Sequence, residues 1–237
     1  MIRLGVNVDH VATLRQARGT AFPDPVEAAR RSERAGCNSI VAHLREDRRH
    51  IQDRDIERLK RTVRTRFNLE MSIARDIVDV AKKLRPDEAT LVPEKRRELT
   101  TEGGLDLVGG LDKIKRAVGE LQSCRIEVSL FINPDKRSIE LAKRAGVRIV
   151  ELHTGRYADV LENKKAKELS RLKEAAKFAK SLGLFVAAGH GLNYDNTAPV
   201  AAIREIEELN VGHSIVCRAI FVGIERAVEE MLGLVKR

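Results

Sequence analysis

The feature that most constrains the fold is a regular alternation of short β-rich segments with helical segments. Strands are predicted at about residues 3–8, 39–44, 66–72, 88–93, 125–132, 147–153, 184–189 and 213–217. An amphipathic helical segment follows each one. Eight such units without a linker rich in Pro, Gly or Ser predict one closed (β/α)8 TIM barrel with extra helices, in which residues 1–237 form a single domain. A doubly wound open sheet is the alternative.

Composition fits one soluble domain. The chain has 237 residues, of which 43% are hydrophobic, so it can bury one large core. We expect no membrane segment, because no apolar stretch approaches the roughly 20 residues that a membrane helix needs, and the first ten residues lack the layout of a signal peptide. Three widely spaced cysteines without a CxxC pair indicate a reducing compartment, so a cytoplasmic location is expected.

The net charge of +9 raises the question of an anionic partner. Proteins that bind single-stranded nucleic acid usually offer aromatic side chains on which bases stack. This chain has no Trp and only two Tyr, and much of its charge lies in helices of mixed sign such as ENKKAKELSRLKEAAKFAK. Nucleic acid is therefore the weaker hypothesis, and small anionic substrates are the stronger one.

Several predicted strands carry polar residues on one face. In RFNLEMS, Asn68 and Glu70 alternate with Phe67 and Leu69, so the polar pair shares a face. Strands of a closed barrel are buried on both sides, and a polar inner face needs a reason. A carboxylate on that face acquires a raised pKa through burial and can act as a general base near neutral pH. The alternative for Glu70 is an interior acid held in a salt bridge.

Histidines cluster where the predicted strands end, which is where active sites of this fold form. Four of the six lie at or just after the ends of strands 1, 2, 6 and 7, namely His10, His43, His153 and His190. His50 lies in the loop after strand 2, and His213 lies where strand 8 is predicted to begin. A single histidine is more simply explained as structural, but the clustering favours an enzyme that transfers protons.

Groups suited to phosphate binding occur in the same loops. They are the arginines Arg18, Arg45, Arg48 and Arg49, together with His50 and the glycine pairs in TTEGGLD (100–106) and AAGHGLN (187–193). There is no GxxxxGK[ST] loop, no GxGxxG after a strand and no HExxH, so neither a nucleotide cofactor nor a metal is expected. No lysine lies at the end of a predicted strand, which argues against a Schiff base with the enzyme.

Seven motifs in order along the chain resemble those of the pyridoxine 5'-phosphate synthase family. They span residue 5 to about 231 and are NVDHVATLRQARGT, HLREDRRHI, NLEMS, TLVPEKRRELTTEGG, ELHTGRYA, AGHGLNYDN and ELNVGHSIVCRAIFVGIERAV. The resemblance implies a (β/α)8 barrel that condenses 1-deoxy-D-xylulose 5-phosphate with 3-amino-2-oxopropyl phosphate. It also implies that the enzyme works without a cofactor and assembles as a homo-octamer built from dimers.

The resemblance also implies roles for individual residues. His43 and Glu70 match the proton acceptors of the family, His190 matches its proton donor, and Glu151 matches a residue that stabilises the transition state. The positions expected to hold the deoxyxylulose phosphate are Asp9, His10, Arg45, His50 and Thr100. Those expected to hold the aminoketone phosphate are Asn7, Arg18, Gly191, Gly212 and His213. The departures from the family pattern are conservative, such as Val for Ile in NVDH, and none falls on these positions.

Two other functions stay open on the sequence alone. Another phosphosugar barrel enzyme, an isomerase or a lyase, would bind one phosphate and act on a single substrate. A basic nucleic-acid-binding protein would bind in a strongly salt-dependent manner and would tolerate loss of its histidines.

Overall fold

The computed structural model describes residues 2–94 and 103–236, in which eight parallel strands close into a barrel in chain order. The strands are β1 (Arg3–Asn7), β2 (Ser39–Leu44), β3 (Arg66–Met71), β4 (Glu88–Leu91), β5 (Glu127–Ile132), β6 (Ile149–His153), β7 (Phe185–Gly189) and β8 (Glu208–Val211). Closure occurs between β1 and β8, where Gly5 pairs with Asn210. This pairing confirms the predicted barrel and excludes the open sheet.

Helices surround the barrel and exceed one per strand. Those in the described residues are α1 (Asp9–Arg18), α2 (Pro25–Arg34), α3 (Asp53–Thr62), α4 (Arg75–Leu84), α5 (Leu107–Ser123), α6 (Lys136–Ala145), α7 (Gly155–Asp159), α8 (Glu162–Ser181), α9 (Thr197–Ala201), α10 (His213–Val222) and α11 (Ile224–Val235). Pairs of helices follow β1, β6 and β8, so the predicted extra helices are confirmed. No described helix combines the length and the apolar character that crossing a membrane requires.

Local sequence signals explain where several helices begin and end. Helix α2 starts with Pro25 in its first turn, and the side chain of Asp24 accepts a hydrogen bond from the Val26 amide. Helix α6 is also capped by an aspartate, since the side chain of Asp135 accepts a hydrogen bond from the Ser138 amide. Its C-terminal cap is Gly146 in the left-handed conformation. These caps fix the helices that return the chain to the start of the next strand.

The prediction for the eighth strand was wrong. Residues 213–217 begin helix α10, and β8 is the four-residue segment Glu208–Val211. The apolar run after Gly212 has the β-branched composition of a strand, but it forms a helix that buries Ile215 and Val216. The true strand escaped notice because its inward residues are Glu208 and Asn210, within a charged stretch that the pattern assigned to a helix.

The apolar core lies between the outer face of the barrel and the helices, whereas the barrel interior is polar. The side chains of Asn68, Glu88, Thr90, Ser129 and Asn210 are all buried. Some of them pair with one another, as in the hydrogen bond from Thr90 Oγ1 to Asn68 Oδ1 at 2.9 Å. The polar face predicted for the strands is therefore the inner face, and it leads upward to the carboxyl ends of the strands.

Candidate active site

A cavity of about 670 Å³ opens at the carboxyl ends of the strands. It collects twelve of the fourteen residues predicted for the site: Asn7, Asp9, His10, His43, Arg45, His50, Glu70, Glu151, His190, Gly191, Gly212 and His213. Arg18 is exposed at the end of α1 and does not line the cavity in this single chain. Thr100 lies outside the described residues. The cavity has the position that active sites take in this fold.

Glu70 and His43 are neighbours across the β2–β3 ladder, so both side chains point into the cavity. Burial raises the pKa of Glu70 well above its usual value, and the negative charges of Glu151 and Asp9 raise it further. The Asp9 carboxylate is fixed beside them, because its Oδ1 accepts the His43 amide at 2.8 Å and its Oδ2 accepts Asn7 Nδ2 at 2.9 Å. Glu70 can therefore hold a proton at a pH above the usual carboxyl range, as suits a general base.

Asp9, His43 and Glu70 also form a group that could hold a metal ion. Each offers one ligand atom, and the three atoms lie within 4.8 Å of one another. Two carboxylates and an imidazole at this spacing suit proton transfer equally well, because like charges in one cavity push carboxyl pKa values upward. The absence of a metal from the reaction stays a prediction.

Glu151 is the second carboxyl group of the cavity and is only 2% exposed. Burial raises its pKa to about 8, against the effect of a hydrogen bond from Asn210 Nδ2 to its Oε2 at 2.7 Å. The carboxylates of Glu88 and Glu208 below it raise the pKa further. Gly189 makes room for this carboxyl group, since a Cβ at that position would collide with Glu151 Oε1. A group of this kind can hold a proton at neutral pH and donate a hydrogen bond to a developing negative charge.

The raised pKa of Glu151 predicts how its replacement by glutamine changes stability with pH. Between the unfolded pKa, near 4.3, and about 8, the folded chain keeps a proton that the unfolded chain has lost. The folded state therefore loses stability as the pH rises through this window. Glu151→Gln removes that titration and keeps the hydrogen bond from Asn210. Urea unfolding should show the variant gaining more than about 1 kcal/mol relative to wild type between about pH 5 and pH 9. Equal pH slopes for the two proteins would contradict the burial argument.

A cationic corner lies beside His43. Arg45 is buried, and its Nε lies 3.6 Å from Glu94 Oε1 and 3.7 Å from Asp47 Oδ1. His50 faces the same corner, and burial lowers its pKa. Its Nδ1 accepts the Ile51 amide at 2.8 Å, which fixes the ring. An arginine, an imidazole and backbone amides together suit an anion.

A second group of donors lines the cavity where β1 and β8 end. His213 begins α10, and its ring packs edge-on against that of His10 at 4.8 Å between centroids. Burial lowers the pKa of His10, and the nearby His213 lowers it further. Gly212 lies so close to Asn7 that a Cβ would collide with the Asn7 side chain. The strand predicted at residues 213–217 is part of helix α10. His213 nevertheless lies in the predicted site, because it comes just after the end of β8.

His190 lies in the left-handed region with φ 81°, and Gly191 follows with φ 76°. Thr154 Oγ1 donates to the carbonyl of His190 at 2.5 Å and thereby holds this unusual turn. The His190 ring packs against His153 at 5.0 Å, and burial lowers the pKa of both, that of His153 to about 4. A histidine presented by a strained turn is a common feature of catalytic sites.

Comparison with known proteins decides the family. The sequence profile of the family described as "Pyridoxal phosphate biosynthesis protein PdxJ" matches residues 4–237. The chain belongs to this family. Curated relatives agree over nearly the whole length. One is the pyridoxine 5'-phosphate synthase of Legionella pneumophila (strain Paris), 54% identical over 98% of this chain and 94% of its own. Another is the pyridoxine 5'-phosphate synthase of Trichlorobacter lovleyi, 53% identical over the full length of both chains.

Solved structures of low sequence identity support the fold. KGPDC from Streptococcus mutans superposes with a TM-score of 0.69 at 15% identity, covering 100% of this chain and 98% of its own. A phosphoribosylanthranilate isomerase from Thermotoga maritima gives 0.64 at 13% identity, covering 99% and 98%. The barrel scaffold is thus shared widely, and the side chains of this family distinguish the site.

Three residues of the site were missed by the sequence reasoning. Glu94 contacts His43 and Arg45, Asn210 bonds Glu151, and Phe131 packs against the rings of His153 and His190. Glu94 directly follows Pro93, the last residue of the fourth predicted strand (88–93), so an acid at a strand end was an available signal. Asn210 was hidden by the misplaced eighth strand, and Phe131 looked like an ordinary core residue.

Proposed function

We propose that this protein is a pyridoxine 5'-phosphate synthase that joins 1-deoxy-D-xylulose 5-phosphate to 3-amino-2-oxopropyl phosphate. The observation that carries the proposal is one cavity lined by several proton-transfer groups together with two groups of anion donors. Membership of the family supports the same reaction. The products are pyridoxine 5'-phosphate, inorganic phosphate and two waters, which balance the atoms of the two substrates.

The chemistry explains the kind of residues that line the cavity. The amine of one substrate attacks the ketone of the other and loses water to give an imine, so the enzyme needs no amine of its own. None of the described lining residues is a lysine. The remaining steps are proton transfers, loss of phosphate, ring closure and loss of the second water. Acids and bases around a closed cavity serve these steps and keep solvent from the intermediates.

In this proposal four residues act on the reacting atoms. Glu70 and His43 accept protons, and His190 donates one. Glu151, protonated at neutral pH, donates a hydrogen bond to the oxygen on which negative charge develops. The position of Glu70 and His43 side by side, with His190 on the far side of the cavity, supports a division between accepting and donating groups.

The two phosphates would occupy separate positions in the cavity, with His10 and His213 in contact where the two positions meet. We assign the deoxyxylulose phosphate to Asp9, His10, Arg45, His50 and Thr100. We assign the aminoketone phosphate to Asn7, Arg18, Gly191, Gly212 and His213. The buried cationic corner at Arg45 supports the first assignment, and the His213 amide at the start of α10 supports the second.

Replacing Arg45 with alanine tests the separation of the two phosphate positions. Loss of a charge-assisted contact should weaken binding of 1-deoxy-D-xylulose 5-phosphate by about 1.5–3 kcal/mol. The KM for the aminoketone phosphate should stay near that of wild type. The KM values, with one substrate varied at saturating levels of the other, provide the measurement. Equal weakening of both substrates would argue against two separate positions.

Arg18 points to a role for a second copy of the chain. Its side chain is exposed on α1 and outside the cavity, and exposed apolar residues occur on α1 and α10, including Leu14, Ile220 and the 82% exposed Phe221. We propose a cytoplasmic, single-domain protein that forms a homo-octamer built from dimers, with Arg18 completing the aminoketone site. Light scattering would give the mass of the assembly.

A coupled assay tests the proposed reaction. Purified protein is supplied with both substrates, and pyridoxine 5'-phosphate is followed by its absorbance. Product that depends on both substrates supports the synthase. Conversion of one phosphosugar alone would instead favour an isomerase or a lyase, and salt-dependent binding of DNA or RNA without turnover would favour a nucleic-acid-binding protein.

A further inference from the structure

Glu94 is a buried acid that contacts two residues lining the cavity, and the proposed reaction gives it no role. It follows β4, and its side chain is 3% exposed. Its Oε2 accepts the Glu46 amide at 2.8 Å. Its Oε1 lies 3.2 Å from His43 Nε2 and 3.6 Å from Arg45 Nε. One carboxylate thus contacts both a proton-transfer residue and a phosphate-binding residue.

The surroundings keep this carboxylate charged. Burial alone would raise the pKa of Glu94, but contacts with His43, the Glu46 amide and Arg45 together hold it below its usual value. An ionised carboxylate buried among such donors is stable only while they surround it. Glu94 Oε1 and the facing His43 Nε2 are both buried, and their 3.2 Å contact is an ion-pair contact rather than a well-aligned hydrogen bond.

We infer that Glu94 is a positioning residue that orients His43 and Arg45 together for the condensation. By holding Nε2 of the imidazole, it leaves Nδ1 as the ring nitrogen that exchanges a proton with the substrate. By holding Nε of the guanidinium, it directs the two terminal nitrogens to the phosphate. The inference rests on the roles proposed above for His43 and Arg45.

A competing role makes the opposite prediction. Glu94 could occupy the place of the substrate phosphate and be displaced when the substrate binds. In that case removing its charge would strengthen phosphate binding, because the competing anion is gone. If Glu94 instead positions Arg45, removing its charge weakens binding. The sign of the change in affinity therefore separates the two roles.

The test uses Glu94→Gln, which keeps the size of the side chain and removes its charge. Titration calorimetry with 1-deoxy-D-xylulose 5-phosphate alone should show a Kd increased roughly tenfold, and kcat in the coupled assay should fall at least about tenfold. The KM for the aminoketone phosphate should not change. Glu94→Asp keeps the charge on a side chain that is one methylene shorter. It should recover part of the lost affinity and part of the lost kcat.

Glu46→Gln is the matched control. It removes a carboxylate from the loop after β2, where Glu46 Oε1 accepts from Ser72 Oγ at 2.8 Å outside the cavity, and it keeps the backbone amide that Glu94 binds. Its Kd and kcat should match wild type. A Kd for Glu94→Gln equal to or below that of wild type would overturn the inference. If that variant does not fold, the same outcome for Glu94→Ala, which also removes the charge, overturns it. Failure of wild type to form product would instead refute the proposed reaction.

Discussion

Replacement of Glu70 by glutamine is expected to lower kcat by about 10²-fold or more, which is the usual scale of general-base catalysis. Glutamine matches the size and the hydrogen-bonding capacity of glutamate but cannot accept a proton. Affinity for both substrates should change little, because the phosphate donors lie on other loops. Steady-state kinetics with both substrates varied separates the two effects.

The pH dependence of the rate adds a second readout for Glu70. Burial, together with Glu151 and Asp9, raises its pKa, so the base loses its proton only above the usual carboxyl range. The acidic limb of the wild-type profile should therefore lie well above the usual carboxyl range. In Glu70→Gln that limb should shift or disappear. Glu168→Gln is a useful control, because it neutralises a buried carboxyl on α8 that does not line the cavity.

One outcome would assign Glu70 a purely structural role. If Glu70→Gln kept near-normal turnover and only unfolded at a lower temperature, the residue would be an interior acid, and the base would have to be sought at His43. The Glu94 variants bear on that alternative, since Glu94 contacts His43 and not Glu70. Kinetics of the two sets of variants together would then locate the base.

The barrel and most of its site could be predicted because both depend on local patterns. Alternating polar residues marked the inner face at Asn68 and Glu70, and strand ends marked His43 and His190. The eighth strand failed because its inner face carries Glu208 and Asn210, and a buried strand was expected to be apolar. When the barrel interior is itself polar, hydrophobic periodicity marks only the outward-facing residues of each strand.

Long-range ion pairs could not be predicted from sequence. Arg15 and Asp55 are forty residues apart, and neither differs in its local sequence from the many exposed arginines and acids of this chain. Only the packing of α1 against the start of α3 brings them together. Glu94 was likewise one of several charges in EKRRE, and its burial depends on how the chain turns after β4.

The Arg15–Asp55 pair carries the largest expected effect on stability. Arg15 is 1% exposed, and its Nη1 and Nη2 donate to the two carboxylate oxygens of Asp55 at 2.8 and 2.6 Å. Arg15→Ala would leave the Asp55 carboxylate buried without its cation. The free energy of unfolding should then fall by about 3–5 kcal/mol. Urea unfolding gives the value, and Arg61→Ala, which breaks an exposed pair with Glu57, should change it by no more than about 1 kcal/mol.

The same pair supports the substrate site, which a double variant can demonstrate. Arg15 Nη2 also donates to the His50 carbonyl at 3.2 Å, and Asp55 Oδ2 accepts the Gln52 amide at 2.9 Å, so the pair holds the loop that carries His50. Replacing a buried ion pair by apolar residues of similar volume is often neutral for stability. The combination Arg15→Met with Asp55→Leu should therefore recover most of the lost stability. It should still bind 1-deoxy-D-xylulose 5-phosphate more weakly than wild type, because neither new side chain can hold the loop at His50. If the double variant recovered both stability and affinity for this substrate, the Arg15–Asp55 pair would contribute to folding but not to substrate binding.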